Sequence, residues 1–131
     1  MKKVKVAFVC IHNSCRSQMA EGYAIKLGAD VLEPYSAGTD KYHEVKPLAV
    51  EVMEMDGVDM SDHHPKLISD IPSDLDYLIT MGCGVECPYI PCKVREDWEI
   101  DDPSGGPEED FIKTRDIIKE KIIELIDRII K

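Results

Sequence analysis

The sequence predicts an α/β fold: a single-domain, three-layer sandwich with a parallel sheet of about four strands and helices on both faces. Short β-branched runs alternate with longer stretches in which apolar residues recur at helical spacing. The first run passes into the first helical stretch through a short loop, as in a strand–helix–strand unit. No internal repeat or linker-like tract interrupts the pattern, so residues 1–131 are expected to form one domain.

The first half of the chain predicts two strands around one helix. Residues 4–9 are mostly apolar and β-branched, which indicates a buried strand. Apolar residues at helical spacing then follow over 17–27, and Gly28 is expected just beyond the end of that helix. Residues 31–37 predict a second strand, at or near an edge of the sheet because Pro34 has no N–H to donate.

The second half predicts the remaining elements. Pro47 suits the first turn of a helix that ends near residues 56–57. The face of this helix is expected to hold Leu48, Ala49, Val52, Met53 and Met55. A helical turn at 67–71, a strand at 75–81, a short strand near 93–95 and a final helix over 109–130 complete the set. The final helix places Ile118, Ile122, Leu125, Ile126 and Ile129 on one face, which favours a packed surface helix.

An eight-residue loop joins the first strand to the first helix, and its residue types favour the binding of an oxyanion. Its members are Cys10, Ile11, His12, Asn13, Ser14, Cys15, Arg16 and Ser17. Backbone N–H groups of such a loop can surround a tetrahedral anion, with the positive end of the helix dipole behind them. Arg16 can hold two oxygens of that anion. The same surroundings favour the thiolate form of Cys10, a candidate nucleophile.

Other residues in and after the loop have supporting roles. Asn13 suits a left-handed turn that aims N–H groups inward, and Ser17 can donate its hydroxyl to the Cys10 thiolate. Cys15 either joins the core or forms a reversible disulfide with Cys10, and a core position is expected. Glu21 either folds back toward the loop or is solvated, and solvation is expected. The alternative for the whole loop is a buried cysteine followed by a helix-capping serine and a solvated arginine.

Three further cysteines follow the third predicted strand. Cys83 and Cys87 come directly after it, and Cys92 lies five residues further on. Loops at the carboxyl ends of parallel strands share one edge of the sheet, so the first two should lie near Cys10. Cys83 and Cys87 can form a disulfide if the segment bends. The alternatives are unreactive loop cysteines or a zinc site formed by all three together with a histidine.

The stretch around residues 98–106 predicts an acidic loop. Asp102, next to Asp101 and before a proline, can protonate a departing oxygen as a general acid, although an Asp-Pro pair is also common in turns. Trp98 is expected to anchor this loop by burial. His63 and His64 lie in a polar stretch and are expected to form hydrogen bonds rather than bind a metal.

Composition restricts the class of partner. A formal net charge of −10 argues against a nucleic acid, which requires a basic face. No stretch has the apolar length of a membrane span, and no signal peptide is recognisable, so a cytoplasmic protein is expected. Five cysteines in such a compartment indicate redox or metal chemistry rather than a structural disulfide framework. A monomer is expected.

The chain resembles the low-molecular-weight protein tyrosine phosphatase superfamily, and most closely its thioredoxin-coupled arsenate reductases. Residues 10–22 resemble the anion loop and the helix start of those reductases, and residues 35–39 resemble the second strand of the family. Residues 81–88 are similar to the reductase redox loop, and residues 97–103 are similar to its acid loop. Residues 104–106 are Ser-Gly-Gly, where tyrosine phosphatases of this fold usually carry an aromatic residue.

The resemblance implies a substrate, a relay and a reductant. Arsenate, with phosphate or sulfate as analogues, would bind in the loop, and Cys10 would attack it while Asp102 acts as the acid. Cys83 and then Cys87 would carry the oxidation away as a disulfide, which thioredoxin or a similar dithiol would reduce. Cys92 is a reserve for the third thiol. No cofactor is implied; in related reductases a potassium ion would lie near the positions of Asn13, Glu21 and Ser36, and the sequence leaves open whether one binds here.

Two other functions remain open on the sequence alone. A phosphatase with the same loop would hydrolyse phosphomonoesters through a Cys10-phosphate. A protein without enzymatic activity could use Cys83, Cys87 and Cys92 as a redox sensor or zinc-binding module.

Overall fold

The sheet has four parallel strands in the spatial order β2-β1-β3-β4. The computed structural model describes residues 3–10, 13, 15–39, 44–82, 90–103 and 105–130. Its strands are β1 (Val4–Cys10), β2 (Leu32–Gly38), β3 (Leu75–Thr80) and β4 (Cys92–Asp97). The strand that contains Pro34 lies at an edge, as its sequence predicts. The α/β class and the parallel sheet are confirmed.

Three α-helices pack together on one face of the sheet. They are α1 (Arg16–Gly28), α2 (Pro47–Met55) and α3 (Glu108–Ile130). The core between them and the sheet contains Phe8 from β1, Tyr23 from α1 and Ile122 from α3, which are all buried. Trp98 closes one end of this core, with its ring 5.8 Å from that of Phe8, so its expected anchoring role is confirmed.

The opposite face of the sheet is covered by shorter structure. Ala7 and Val9 of β1 point to this face, because side chains alternate along a strand. They pack with Leu78 and with the flanks of a 3-10 turn, Ile68–Asp70. In the described part of the chain, helical structure therefore lies on both faces of the sheet, but the α-helices lie on one face only.

Two local expectations are wrong. Gly28 does not follow α1 in a left-handed conformation but is its last residue, and Ala29 after it still has helical angles. The reason for a glycine there is packing, since a Cβ atom would lie 2.8 Å from Cδ1 of Leu32. Met55 is 58% exposed and not part of the packed face of α2.

No helix in the described part of the chain combines the length and the apolar character that a membrane span requires.

Candidate active site

The carboxyl ends of β1 and β3 form the edge at which the candidate site lies. The chain runs from β1 to β2 on one side and returns to β3 on the other, so the connections diverge at this point. Ligands of open parallel sheets bind at such a divergence, next to the carboxyl ends of the strands. Cys10 is the last residue of β1 and is buried, with 4% of its surface exposed.

The start of α1 provides positive potential at the same place. Its N-cap residue, Cys15, makes no side-chain hydrogen bond to the helix, and the first turn contains no acidic residue. The first N–H groups of a helix have no partner within the helix, and the helix dipole adds partial positive charge there. This end of α1 therefore suits an anion.

Ser17 is the closest polar partner of the candidate nucleophile. Its Oγ lies 2.8 Å from Sγ of Cys10 and accepts a hydrogen bond of 2.8 Å from Nδ2 of Asn13. Asn13 is fully buried with a φ of 53°, the left-handed conformation that the sequence predicts for it.

The backbone N–H of Lys66 fixes the direction of this chain of hydrogen bonds. It donates to Oδ1 of Asn13 at 2.8 Å, so the amide nitrogen of Asn13 faces Ser17. Ser17 accepts on that side, and its own proton is free to be donated to the sulfur of Cys10. A donated hydrogen bond stabilises a thiolate more than a thiol.

Arg16 lies between the ends of β3 and β4. Its Nη1 donates hydrogen bonds to the carbonyl oxygens of Met81 and Ile100, the second at 2.7 Å. Its Nη2 lies 3.9 Å from Oδ2 of Asp102, whose side chain is about half exposed. Arg16, which is buried, thus joins the anion loop to the loop that contains the candidate acid.

Cys15 differs chemically from Cys10 although both belong to the loop. Burial raises the pKa of the Cys15 thiol well above its ordinary value, with a smaller contribution from the Asp102 carboxylate. Cys15 therefore stays protonated in the core, the position expected for it.

One polar residue behind the loop, Gln18, was not identified from the sequence. Gln18 is fully buried and donates through Nε2 to the backbone oxygen and Oδ1 of Asn13 and to the backbone oxygen of His64. Its Oε1 faces Nδ1 of His63 at 2.9 Å, so that nitrogen carries the proton. Burial lowers the pKa of His63. The expected hydrogen-bonding role of this histidine agrees with these contacts.

Glu21 also lies behind the loop, and the expectation that it is solvated is wrong. Only 14% of its side chain is exposed. Its Oε1 accepts a hydrogen bond of 2.6 Å from Ser36 and lies 3.5 Å from Nζ of Lys66. These partners are 15 and 45 residues away in the chain, so no local spacing predicts the cluster.

Ile11, His12 and Ser14 of the loop, and Cys83 and Cys87 of the predicted relay, lie outside the described residues. Within the described residues, no three histidine, cysteine, aspartate or glutamate side chains converge to hold a metal ion.

Cys92 is described, and it lies at the far edge of the sheet. It is the first residue of β4 and pairs with Leu75, the first residue of β3. Thr80, the last residue of β3, lies five residues beyond Leu75. At 3.3 Å per residue, Cys92 is therefore about 16 Å from the carboxyl edge of the sheet.

Known proteins are similar to this chain in sequence and in fold. The family model for "Low molecular weight phosphotyrosine protein phosphatase" matches residues 5–131. An arsenate reductase of Staphylococcus aureus (strain Newman) is 42% identical over 123 residues, which cover 91% of this chain and 93% of that protein.

Two solved structures are also similar. An arsenate reductase in the phosphate binding state has a TM-score of 0.88 at 40% identity, covering 96% of this chain and 98% of the other. A thioredoxin-dependent arsenate reductase of Corynebacterium glutamicum has a TM-score of 0.77 at 34% identity, covering 97% of this chain and 62% of the other. The chain therefore belongs to the low molecular weight phosphotyrosine protein phosphatase family, and within it to the arsenate reductases.

Proposed function

We propose that this protein reduces arsenate to arsenite, with Cys10 as the nucleophile and a Cys83–Cys87 disulfide as the oxidised product. The observation that carries the proposal is the placement of the Cys10 sulfur. It lies at the end of β1, next to a helix end without a side-chain cap, and 2.8 Å from the hydroxyl of Ser17. Such surroundings favour a thiolate that faces a bound oxyanion.

The first step forms a bond between sulfur and arsenic. Backbone N–H groups of the loop hold arsenate, the guanidinium of Arg16 turns from its carbonyl partners to two of the oxygens, and the Cys10 thiolate attacks arsenic. One oxygen leaves as water after protonation by Asp102. The distance of 3.9 Å between Nη2 of Arg16 and Oδ2 of Asp102 supports this role for the carboxyl group.

The second step transfers two electrons to arsenic. The Cys83 thiolate attacks the sulfur of Cys10, the sulfur–arsenic bond breaks, and its electron pair stays on arsenic, which departs as arsenite. Cys87 then attacks the sulfur of Cys83, releases the Cys10 thiolate and leaves the Cys83–Cys87 disulfide. A dithiol of the thioredoxin type reduces that disulfide. This reducing chemistry fits the cytoplasm, where thiols are kept reduced.

The third thiol is assigned to Cys87 rather than to Cys92. Loops that follow β1 and β3 share the carboxyl edge of the sheet, and Cys92 lies at the opposite edge. The zinc-binding alternative would need Cys92, at that opposite edge, to join Cys83 and Cys87.

The second candidate function is hydrolysis of phosphomonoesters, which the family model favours. The same loop and acid would form and hydrolyse a Cys10-phosphate, with no role for Cys83 or Cys87. Residues 104–106, Ser-Gly-Gly, lack an aromatic side chain that could pack on a phosphotyrosine ring. The two functions therefore differ in their need for the second and third thiols.

A coupled assay tests the proposal. Oxidation of NADPH is followed with arsenate, thioredoxin and thioredoxin reductase, beside hydrolysis of p-nitrophenyl phosphate. Cys10→Ser, Cys83→Ser and Cys87→Ser should each abolish arsenate-dependent oxidation, and Cys92→Ser, the matched control, should keep it. If Cys83→Ser and Cys87→Ser turn over as the wild type does, the reductase proposal is wrong. Full p-nitrophenyl phosphate hydrolysis in those variants would then favour the phosphatase.

A further inference from the structure

The ion pair of Glu21 and Lys66 lies directly behind the anion loop. Nζ of Lys66 is 3.5 Å from Oε1 of Glu21, and the two side chains are only 20% and 14% exposed. Glu21 is one helical turn after Ser17, the residue whose hydroxyl contacts Cys10. A carboxylate at this position opposes both a thiolate and a bound oxyanion, because like charges disfavour one another at short range.

Lys66 is held in place by its own backbone. Its N–H donates to Oδ1 of Asn13 at 2.8 Å, and its carbonyl accepts a hydrogen bond of 2.8 Å from the N–H of Gly38. Its ammonium also donates to the carbonyl of His64 at 3.1 Å. The residue is thus fixed to the anion loop and to the end of β2, with its charge directed at Glu21.

The other charged groups do not replace Lys66. The titratable groups around the loop are Cys10, Cys15, Arg16, Glu21, Lys46, Asp59, His63, His64, Lys66 and Asp102. Nδ1 of His63 is 4.0 Å from Glu21, but burial lowers the pKa of this histidine, so it is neutral above pH 7. Arg16 is directed at the carbonyls of Met81 and Ile100, on the side of the acid loop.

We infer that Lys66 is a positioning residue of the active site, whose ammonium neutralises Glu21 and thereby allows the loop to hold a Cys10 thiolate opposite an oxyanion. The inference rests on the nucleophilic role proposed for Cys10. In a chain with a net charge of −10, this compensation has to be local. Lys66 acts through Glu21 and does not contact the reacting atoms.

The rate at which iodoacetamide alkylates Cys10 tests this inference. Peptide-resolved mass spectrometry separates Cys10 from the other thiols, and pH 7.5 keeps His63 neutral. The assay requires neither arsenate nor a reductant, so its outcome is independent of whether the protein reduces arsenate. Thermal unfolding of every variant shows that it is folded.

Each variant is expected to change the alkylation rate of Cys10 in a defined direction. Lys66→Met should slow alkylation about fivefold, since the charge of Glu21 is then uncompensated. Glu21→Gln should react as fast as the wild type or faster, and the double variant should return to within about twofold of the wild type. Lys66→Arg should restore the rate because it keeps the charge. Lys113→Met removes a lysine from an exposed ion pair on α3 and should change nothing.

Three outcomes would overturn the inference. The first is a wild-type rate in Lys66→Met. The second is a double variant as slow as Lys66→Met or slower, which indicates that the two side chains support the loop only by packing. The third is a slower Glu21→Gln, and this single variant decides the question if Lys66→Met does not fold.

Discussion

The hydroxyl oxygen of Ser17 lies 2.8 Å from the sulfur of Cys10, and the amide of Asn13 occupies the other side of that hydroxyl. Asn13 is oriented in turn by the backbone of Lys66, 53 residues further along the chain. The hydrogen bond to the candidate nucleophile therefore depends on a segment that contains no residue of the anion loop.

Ser17→Ala should reduce the thiolate fraction of Cys10. A hydrogen bond to a charged group contributes about 1.5–3 kcal/mol, which corresponds to a roughly 10- to 100-fold slower alkylation at neutral pH. The rate is measured by iodoacetamide labelling with peptide-resolved detection. Ser69→Ala, at an exposed position of the 3-10 turn, is the control and should react normally. Equal rates in both variants would show that the Ser17 contact does not stabilise the thiolate.

Asn13→Ala and Asn13→Gly should separate backbone strain from the loss of the amide. Both remove the donor to Ser17, so both should slow alkylation of Cys10. Only glycine adopts a φ of 53° without a Cβ penalty, so Asn13→Ala should be less stable than Asn13→Gly by about 1 kcal/mol. Urea unfolding measures the difference. Equal stabilities would contradict a requirement for the left-handed conformation.

Asp102→Asn should slow arsenate turnover by about 10²-fold or more, because an amide cannot protonate the departing oxygen. The measurement is arsenate-dependent NADPH oxidation. Asp101→Asn is the matched control at the adjacent exposed position and should stay near the wild-type rate. If both variants lose activity to the same extent, the negative charge of the loop, and not a single proton donor, is responsible.

Gly82→Ala should disturb Arg16 and the acid loop together. An added Cβ would lie 3.3 Å from the carbonyl oxygen of Ile100 and 3.4 Å from Nη1 of Arg16. Binding of phosphate, measured by calorimetry, should weaken about tenfold as the guanidinium is displaced. Gly105→Ala is the control, since its φ of 87° is equally unfavourable but no atom lies within 4 Å of the added Cβ. An equal loss in both would indicate backbone strain alone.

Tyr23→Phe should destabilise the fold in a pH-dependent manner. The Tyr23 hydroxyl donates to Oδ2 of Asp56 at 2.7 Å, and this bond, followed by that from Lys119, holds the pKa of Asp56 below its ordinary value of 3.8. The bond should contribute about 2 kcal/mol at pH 7. A depressed carboxyl pKa stabilises the fold above pH 3.8 and ceases to do so as the pH falls through the folded-state pKa.

Urea unfolding at pH 7 and at pH 3 checks this prediction. The difference between wild type and Tyr23→Phe should be smaller at the lower pH. A constant difference would mean that the ring packing of Tyr23, and not its bond to Asp56, is affected.

Local patterns were sufficient for the elements and for the reactive residues of the loop. Alternating and helical apolar spacing identified the strands and helices of the described residues to within a few positions, since burial of one face imposes that periodicity. Where the pattern failed, packing was the cause. Gly28 is the last residue of α1, and it is a glycine because Leu32 leaves no space for a side chain; no spacing rule contains that distance.

That a thiol, an arginine and a helix start follow one strand can be read from the chain, because all three lie within a few positions of one another. The surroundings of these groups, in contrast, depend on the fold. Ser36 of β2 donates to Glu21 behind the loop, Lys66 from the segment after α2 donates to Asn13, and Ile100 from the segment after β4 accepts from Arg16. Such contacts depend on how the sheet orders its strands and on which side chains the packed core excludes from water, and neither is encoded in local spacing.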